Sequence, residues 1–391
     1  MRVLFAWELG ANSGHLSRDL PVAERLRDRG HDVLFALRDL AVAERMLTPA
    51  GFAFTACPSP IRTTRVERAQ VNYSDILAEQ GFAEQAKLSA LLRAWITFLR
   101  TAAIDVVVSD FAPAALLAAR VLGLRVEVIG PPFSVPPAVS PLPSIRPWDQ
   151  ITHEQLLEAD TRVLNVMNAV LAELGASPLP DVASMFAGIT PHITCFAELD
   201  CYGARASVNY IGPIATRSSN PRIEWQRTGS KRVLAYLHPW LPGLEALLQA
   251  IQQAEVEAIC VIPDAPDSMI DRLRRTGLNA RNTPVDVSVL LPDADAVVGY
   301  GSLGLIAESL LYGAPMLLVP SQVEHHVNAM KAAELGAAEI VDKQRTVARF
   351  RSTLETILSG ESGYAQVARA FSERYRSFEL GAAADTLLAI A

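Results

Sequence analysis

The sequence predicts an α/β protein made of two doubly wound parallel-sheet domains, and three observations carry that expectation. The chain has 391 residues, beyond the size at which one hydrophobic core stops growing. Short apolar runs alternate with amphipathic stretches, the βα rhythm of a parallel sheet. That rhythm halts at IATRSSNPRIEWQRTGS, which is polar and broken by Pro221, and then restarts. The expected division is residues 1–215, a linker 216–230, and residues 231–391.

The elements follow in order. Arg2 to Leu9 reads as a strand, and Gly14 opens a helix that stops at Gly30. Within it Leu16, Leu20, Ala23 and Leu26 share one helical face. His31 to Leu37 and Phe52 to Cys57 are the next strands. Val66 to Arg100 is mostly helical by pattern, with an interruption at Gly81. Asp105 to Ser109 is a buried strand, Pro113 to Leu122 a helix, and Arg125 to Gly130 a strand. In the second half, strands are expected at Arg232 to Leu237 and Ala258 to Ile262, with helices at Leu244 to Ala254 and Ser268 to Arg275. The apolar runs Ala294 to Val298 and Pro315 to Val319 flank a glycine loop and a helix.

Composition narrows the function classes. Half of the residues are apolar and the net charge is −7, so nucleic acid is a poor main partner. The densest basic stretch, Arg62 to Arg68, reads as a solvated loop or helix start. Cys57, Cys195, Cys201 and Cys260 lack metal-like spacing and read as buried thiols of a cytoplasmic protein. Glu8 interrupts the N-terminal apolar run too early for a signal peptide, and no run approaches the ~20 residues of a spanning helix.

Two regions carry candidate chemistry. In GYGSLGLIAESLLYGAPMLLVPSQVEHH, from Gly299 to His326, glycines lead from a strand into a helix. Glycine permits close backbone approach, and the free N–H groups of a helix start suit phosphate. Glu308 fits a ribose, whose hydroxyls donate to it. The segment therefore reads as a nucleotide site. In ELGANSGHLSRD, His15 opens a helix at the carboxyl edge of the first strand, where the helix start disfavours imidazolium. Asp110, in VVVSDF, ends another strand on that edge and is placed to hold the other ring nitrogen. Glu8, Asn12, Phe111, Phe133 and Pro136 lie on the same edge or in the proline-rich loop Gly130 to Trp148, and are assigned to an acceptor. That loop holds seven prolines, making it semi-rigid: either a wall of a ligand cleft or a surface connection. Asp293-Ala294-Asp295 resembles a metal-binding DxD but reads better as a turn that starts a strand. The adjacent His325 and His326 diverge on a helix and chelate poorly.

With these motifs in view, the chain resembles GT-B-fold glycosyltransferases of the UDP-glycosyltransferase type, close to bacterial enzymes acting on macrolides and other natural products. The likeness rests on GHLSRDLPVAERLRDRGHDV, VVVSDF, the proline-rich loop, NYIGPI and Gly299 to His326. It implies two Rossmann-like domains facing a central cleft, with the stretch Tyr364 to Ala391 packing back on the first. It implies His15 as the deprotonating base and Asp110 as its support. The donor signature falls on Tyr300, Gly301, Ser302, Leu303, Gly304, Leu305 and Glu308. Tyr300 stands where the family has a phosphate-contacting histidine, and Leu305 where it has threonine. The donor-sugar pair falls on Glu324 and His325, a Gly-Ser pair on His238-Pro239, and the base contact on Val285 and Asp286.

The implied activity is inverting sugar transfer, without metal or other cofactor, from a UDP- or TDP-linked sugar to a small, largely apolar acceptor. The donor is a co-substrate, no nucleic acid or integral membrane segment is involved, and a homodimer is allowed. Two alternatives stay open: a sugar-nucleotide epimerase of the same fold, and an inactive nucleotide-sugar-binding accessory protein.

Overall fold

The computed structural model describes residues 1–10, 13–59, 69–214, 220–226 and 230–380. Expectations for Asn12, for Arg62 to Arg68, for parts of 216–230 and for the end of the last helix lie outside the described residues. The described chain forms two compact units. Residues 198–201 group with the second unit rather than with the sequence around them.

The first unit contains β1 (Arg2–Trp7), α1 (Gly14–Asp28), β2 (Asp32–Leu37), α2 (Leu40–Ala50), β3 (Ala53–Ala56), α3 (Tyr73–Leu77), α4 (Gln85–Thr101), β4 (Val106–Asp110), α5 (Pro113–Val121), β5 (Arg125–Gly130), α6 (His153–Glu173), β6 (His192–Ile193) and β7 (Asn209–Tyr210). Its sheet runs β3-β2-β1-β4-β5-β6-β7, all parallel. The order reverses between β1 and β4, whose carboxyl ends therefore frame the crevice where ligands bind in open α/β sheets. β1 and β4 are buried on both faces, which explains their uninterrupted apolar runs.

Between Tyr73 and Thr101 the helix breaks at Gly81, whose φ of +91° an L residue rarely adopts. The 21-residue α6 went unassigned in the sequence, although Thr152 and Gln155 form a reciprocal capping box at its start. From α6, buried Asp160 accepts hydrogen bonds from Leu142 N (2.7 Å), Asn72 Nδ2 (2.8 Å) and Ser74 Oγ (2.6 Å). This carboxylate anchors the proline-rich loop to the helices.

The second unit contains β8 (Arg232–Tyr236), α7 (Leu244–Gln253), β9 (Glu257–Val261), α8 (Asp267–Arg275), β10 (Asn279–Arg281), β11 (Ala296–Gly299), α9 (Leu303–Leu311), β12 (Met316–Leu318), α10 (Val323–Glu334), β13 (Ala338–Ile340), α11 (Val347–Ser359) and α12 (Tyr364–Arg374). Its parallel sheet, β10-β9-β8-β11-β12-β13, reverses between β8 and β11. The described stretch 220–226 lies along this unit: Pro221 O accepts from Asp286 N, and Trp225 Nε1 donates to Leu290 O. Helix α12 packs on α9, with Ser372 Oγ donating to Leu311 O. Asp293 pairs with Arg232, while Asp295 takes Lys231 Nζ and Arg232 N, so the DxD-like string ties down the start of β8. Of the cysteines, Cys201 is only half-buried, in a turn after Leu199, while the other three are buried.

Asp160→Ala removes the acceptor of three buried donors and is expected to destabilise the first unit by about 3 kcal/mol. Urea unfolding followed by amide exchange at Leu142 checks it; an unchanged midpoint and unchanged Leu142 protection would contradict the anchoring role.

Candidate active site

In the first unit the crevice between β1 and β4 is built around one buried carboxylate. Asp110 is fully buried at the end of β4. His15, in the first turn of α1, places Nδ1 2.9 Å from Asp110 Oδ2. Arg18, one turn later, donates from Nε to Oδ2 (3.0 Å) and from Nη2 to Oδ1 and Oδ2 (2.8 Å each). Burial alone would raise the Asp110 carboxyl, but Arg18 and His15 outweigh it and hold it below the ordinary carboxylate range. Burial also pushes His15 below its usual value, Asp110 opposing and Arg18 and Arg38 assisting. His15 is thus neutral near pH 7 and stacks on Trp7, with ring centroids 4.7 Å apart. Asp19, on α1, is a second buried carboxyl, raised well above the ordinary range by burial and by Asp110.

Backbone geometry is fitted to these side chains. A Cβ on Gly10, at φ +87°, would lie 2.4 Å from His15 Nε2. Only glycine leaves room for that nitrogen. Phe111, immediately after Asp110, takes φ +50°, a strained value for an aromatic residue. Its carbonyl accepts from Leu9 N, tying the two crevice strands together.

The expected acceptor residues divide. Phe111 is half-buried beside Tyr73, with ring centroids 6.1 Å apart. Glu8 has a different job from the acceptor contact expected of it: buried, it takes the N–H groups of Ala114 (3.1 Å) and Ala115 (2.6 Å) and so caps α5. Burial pushes its carboxyl up to about 8. Phe133 and Pro136 are also buried, so the proline-rich loop presents Ala138 to Ser140 outward instead.

In the second unit the crevice between β8 and β11 holds rings. Tyr300 lies 3.8 Å from His238 and 4.8 Å from His325, centroid to centroid. His238 stacks on Trp240 at 4.9 Å with planes 10° apart, and Trp240 is 56% exposed. Burial lowers His238, and burial followed by His238 and His326 lowers His325 to about 4. Burial raises the Tyr300 hydroxyl to about 12. All three rings are neutral near pH 7. Gly301 lets the loop touch α10, since a Cβ there would lie 2.4 Å from His325 O. Asn328 Nδ2, from α10, holds the loop at Gly301 O (3.1 Å).

Ser302 precedes α9 without a side-chain cap, and Gly304 is exposed at the helix start. Leu303 is buried. Leu305 Cδ2 fills the space over Gly299, which accounts for an apolar residue in place of a threonine. Glu308 is half-buried, and burial followed by Asp286 raises it to about 7. Glu324 lies half-buried in the first turn of α10. Val285 and Asp286, expected against the donor base, have structural side chains. Val285 is buried, and Asp286 caps the turn Val287–Val289 by accepting from Ser288 N and Oγ.

Comparison with solved structures gives the architecture a name. The chain is similar to CalG4, the calicheamicin glycosyltransferase (19% identity, 99% of this chain and 97% of that one, TM-score 0.74). It is similar to the glycotransferase of kitacinnamycin (20% identity, 99% and 98%, TM-score 0.70) and to VinC in complex with DTDP (17% identity, 100% and 99%, TM-score 0.69). The chain has the GT-B fold.

No family model and no curated protein matches the sequence. Within the GT-B frame, both residue clusters lie at the carboxyl ends of the strands where their sheet order reverses. Of the residues singled out in the sequence, the structure brings His15 and Asp110 together in one crevice and His238, Tyr300 and His325 together in the other. The sequence reading missed Trp7, Arg18, Asp19, Trp240 and Asn328. Arg18 was legible: it lies three residues after His15, on the same helix face. Asn328 stands in the same relation to His325. No helix among the described residues is long and apolar enough to cross a membrane.

Gly10→Ala is expected to force His15 off Trp7 and Asp110 and toward solvent. Its imidazole should then titrate closer to the ordinary value of 6.5, upward from its buried value. Ring proton shifts followed against pH check this; an unmoved titration would show that Gly10 does not shape the site.

Proposed function

We propose that this chain transfers a sugar from a nucleoside diphosphate sugar to a small acceptor. The observation that carries the proposal is the buried, neutral His15 with Nδ1 2.9 Å from Asp110, at the crevice of the first sheet. Such a histidine accepts the proton of an acceptor as its oxygen or nitrogen attacks the anomeric carbon, and Asp110 stabilises the imidazolium that forms. A single displacement inverts the anomeric configuration.

On this reading the donor belongs to the second unit. The uncapped amides at the start of α9 take the diphosphate and stabilise it as it departs. Glu308 takes the ribose hydroxyls, and Glu324 with His325 takes the sugar. With negative charge met by amides and neutral rings, no metal or added cofactor is required, and rates should be indifferent to chelators. VinC is recorded with DTDP, which supports the TDP-linked choice between the TDP- and UDP-linked donors expected. The half-buried ring of Phe111 at the first crevice, backed by buried Tyr73, favours a largely apolar acceptor.

One feature favours a second reading, nucleotide-sugar binding without transfer: the ring cluster of the second unit supplies no cation to a diphosphate. Assay of free nucleoside diphosphate, with acceptor and a panel of nucleotide sugars, separates the two. His15→Ala should keep donor binding and lower turnover by roughly 10²-fold or more. Asp110→Asn removes the group that raises the His15 pKa, so the acid limb of the pH–rate profile should move to lower pH as turnover falls. Near-normal turnover in His15→Ala would sink the base assignment.

Glu308 makes a separate prediction. As an acceptor of ribose hydroxyls it is strongest when ionised, and its pKa is raised to about 7. Nucleotide affinity should therefore weaken as pH falls through about 7, and Glu308→Gln should abolish that dependence. Calorimetry at pH values on either side of 7 decides it; equal affinities in the parent chain would remove Glu308 from the ribose.

A further inference from the structure

Arg18 does more than neutralise Asp110. Its Nη2 also lies 2.7 Å from His15 Nδ1, while Asp110 Oδ2 lies 2.9 Å from that same nitrogen. A guanidinium only donates, and an ionised carboxylate only accepts. Nδ1 of a neutral imidazole does one or the other. With a proton, it donates to Asp110 and meets an Arg18 N–H head-on. Without one, it accepts from Arg18 and faces the lone pairs of Asp110. The two contacts exclude each other, and Nε2 follows: a free lone pair in the first case, a proton in the second. Only the first case makes His15 a base at Nε2, the nitrogen that Gly10 leaves room for.

We propose that Arg18 is a positioning residue that selects the tautomer of His15. In the free protein it holds Nδ1 as an acceptor and the proton on Nε2, and His15 becomes a base when Nη2 leaves the ring and keeps only its bonds to Asp110. This rests on the reading of His15 as the base. The shorter of the two Nδ1 contacts is to Arg18. The same guanidinium reaches both Asp110 oxygens, which weakens the pull of the carboxylate on a ring proton. The charged groups facing His15 are Asp110 from β4, Arg18 from α1 and Arg38 just after β2, and Asp19 faces Asp110 and Arg18. Asp110 alone favours a protonated ring.

Two-bond nitrogen–proton correlation spectra of the histidine rings test the proposal at about pH 7.5, above the ordinary histidine range. His15→Gln assigns the ring signals. The parent chain should show the proton on Nε2. Arg18→Met should move it to Nδ1 and raise the His15 titration, since the Arg18 charge lowers it. The acid limb of the rate profile should move the same way. Arg18→Lys keeps the charge beside Asp110 but lacks the fork that serves carboxylate and ring together. It should change the tautomer while leaving the titration nearer that of the parent, and it decides the question if Arg18→Met does not fold. A parent ring already protonated on Nδ1, or an unchanged tautomer in Arg18→Lys, overturns the proposal. The ring spectra need no substrate. Absence of transfer with every nucleotide sugar would instead overturn the functional reading and leave the tautomer result standing.

Discussion

A carboxylate with no exposed surface cannot stay ionised in a protein unless its charge is answered at close range. Asp110 occupies such a position, and Arg18 answers it with bonds to both oxygens. Much of the first crevice follows from that pair. Arg18 fixes the first turn of α1 against the end of β4, and this sets His15 within reach of Asp110 and flat on Trp7. Gly10 and Phe111 adopt unusual backbone angles around it, and Glu8 caps the neighbouring helix α5. Strain of this kind persists where the surrounding contacts over-determine the backbone, as they do here.

The two units solve one topological problem with different chemistry. Each sheet is parallel and each reverses its order once, so each offers a crevice at the carboxyl ends of two central strands. The first fills its crevice with a charged, hydrogen-bonded set: histidine, aspartate and arginine. The second fills its crevice with clustered neutral rings, His238, Tyr300 and His325, with Trp240 stacked on His238 at the exposed side. In the proposed transfer, a histidine that exchanges a proton benefits from partners that can stabilise either form. The proposed diphosphate contact through helix amides instead depends on close approach, which the open position of Gly304 suits. Tyr300 and Leu305, odd against the glycosyltransferase pattern, are consistent with this packing. The first lies between His238 and His325 in the ring cluster, and the second covers Gly299.

Legibility in the sequence tracked the distance over which each feature is determined. The central strands were visible as apolar runs because both of their faces are buried. The break at Gly81 was visible because glycine alone accepts that backbone angle readily. Strands β6 and β7, two residues each, left no periodic signal to read. At the site, His15 and Asp110 could be paired because both follow strands at one edge. Glu8 was misread for the same reason: position at an edge does not tell whether a carboxylate points at solvent or at the start of a neighbouring helix.

Residue pattern by itself determined the fold class, the order of the main βα units and which residues gather at the crevice edges. Strand periodicity and helix breaking act over a few residues and are written locally. Tertiary structure alone decided the partners. Arg18 joins Asp110 across 92 residues, Asp160 gathers Asn72, Ser74 and Leu142, and His325 meets His238 through Tyr300. Hydrogen bonds and burial of this kind depend on distances that exist only once the sheets have formed. So do the shifts that keep His15 neutral, Asp110 ionised and Glu308 poised near neutrality.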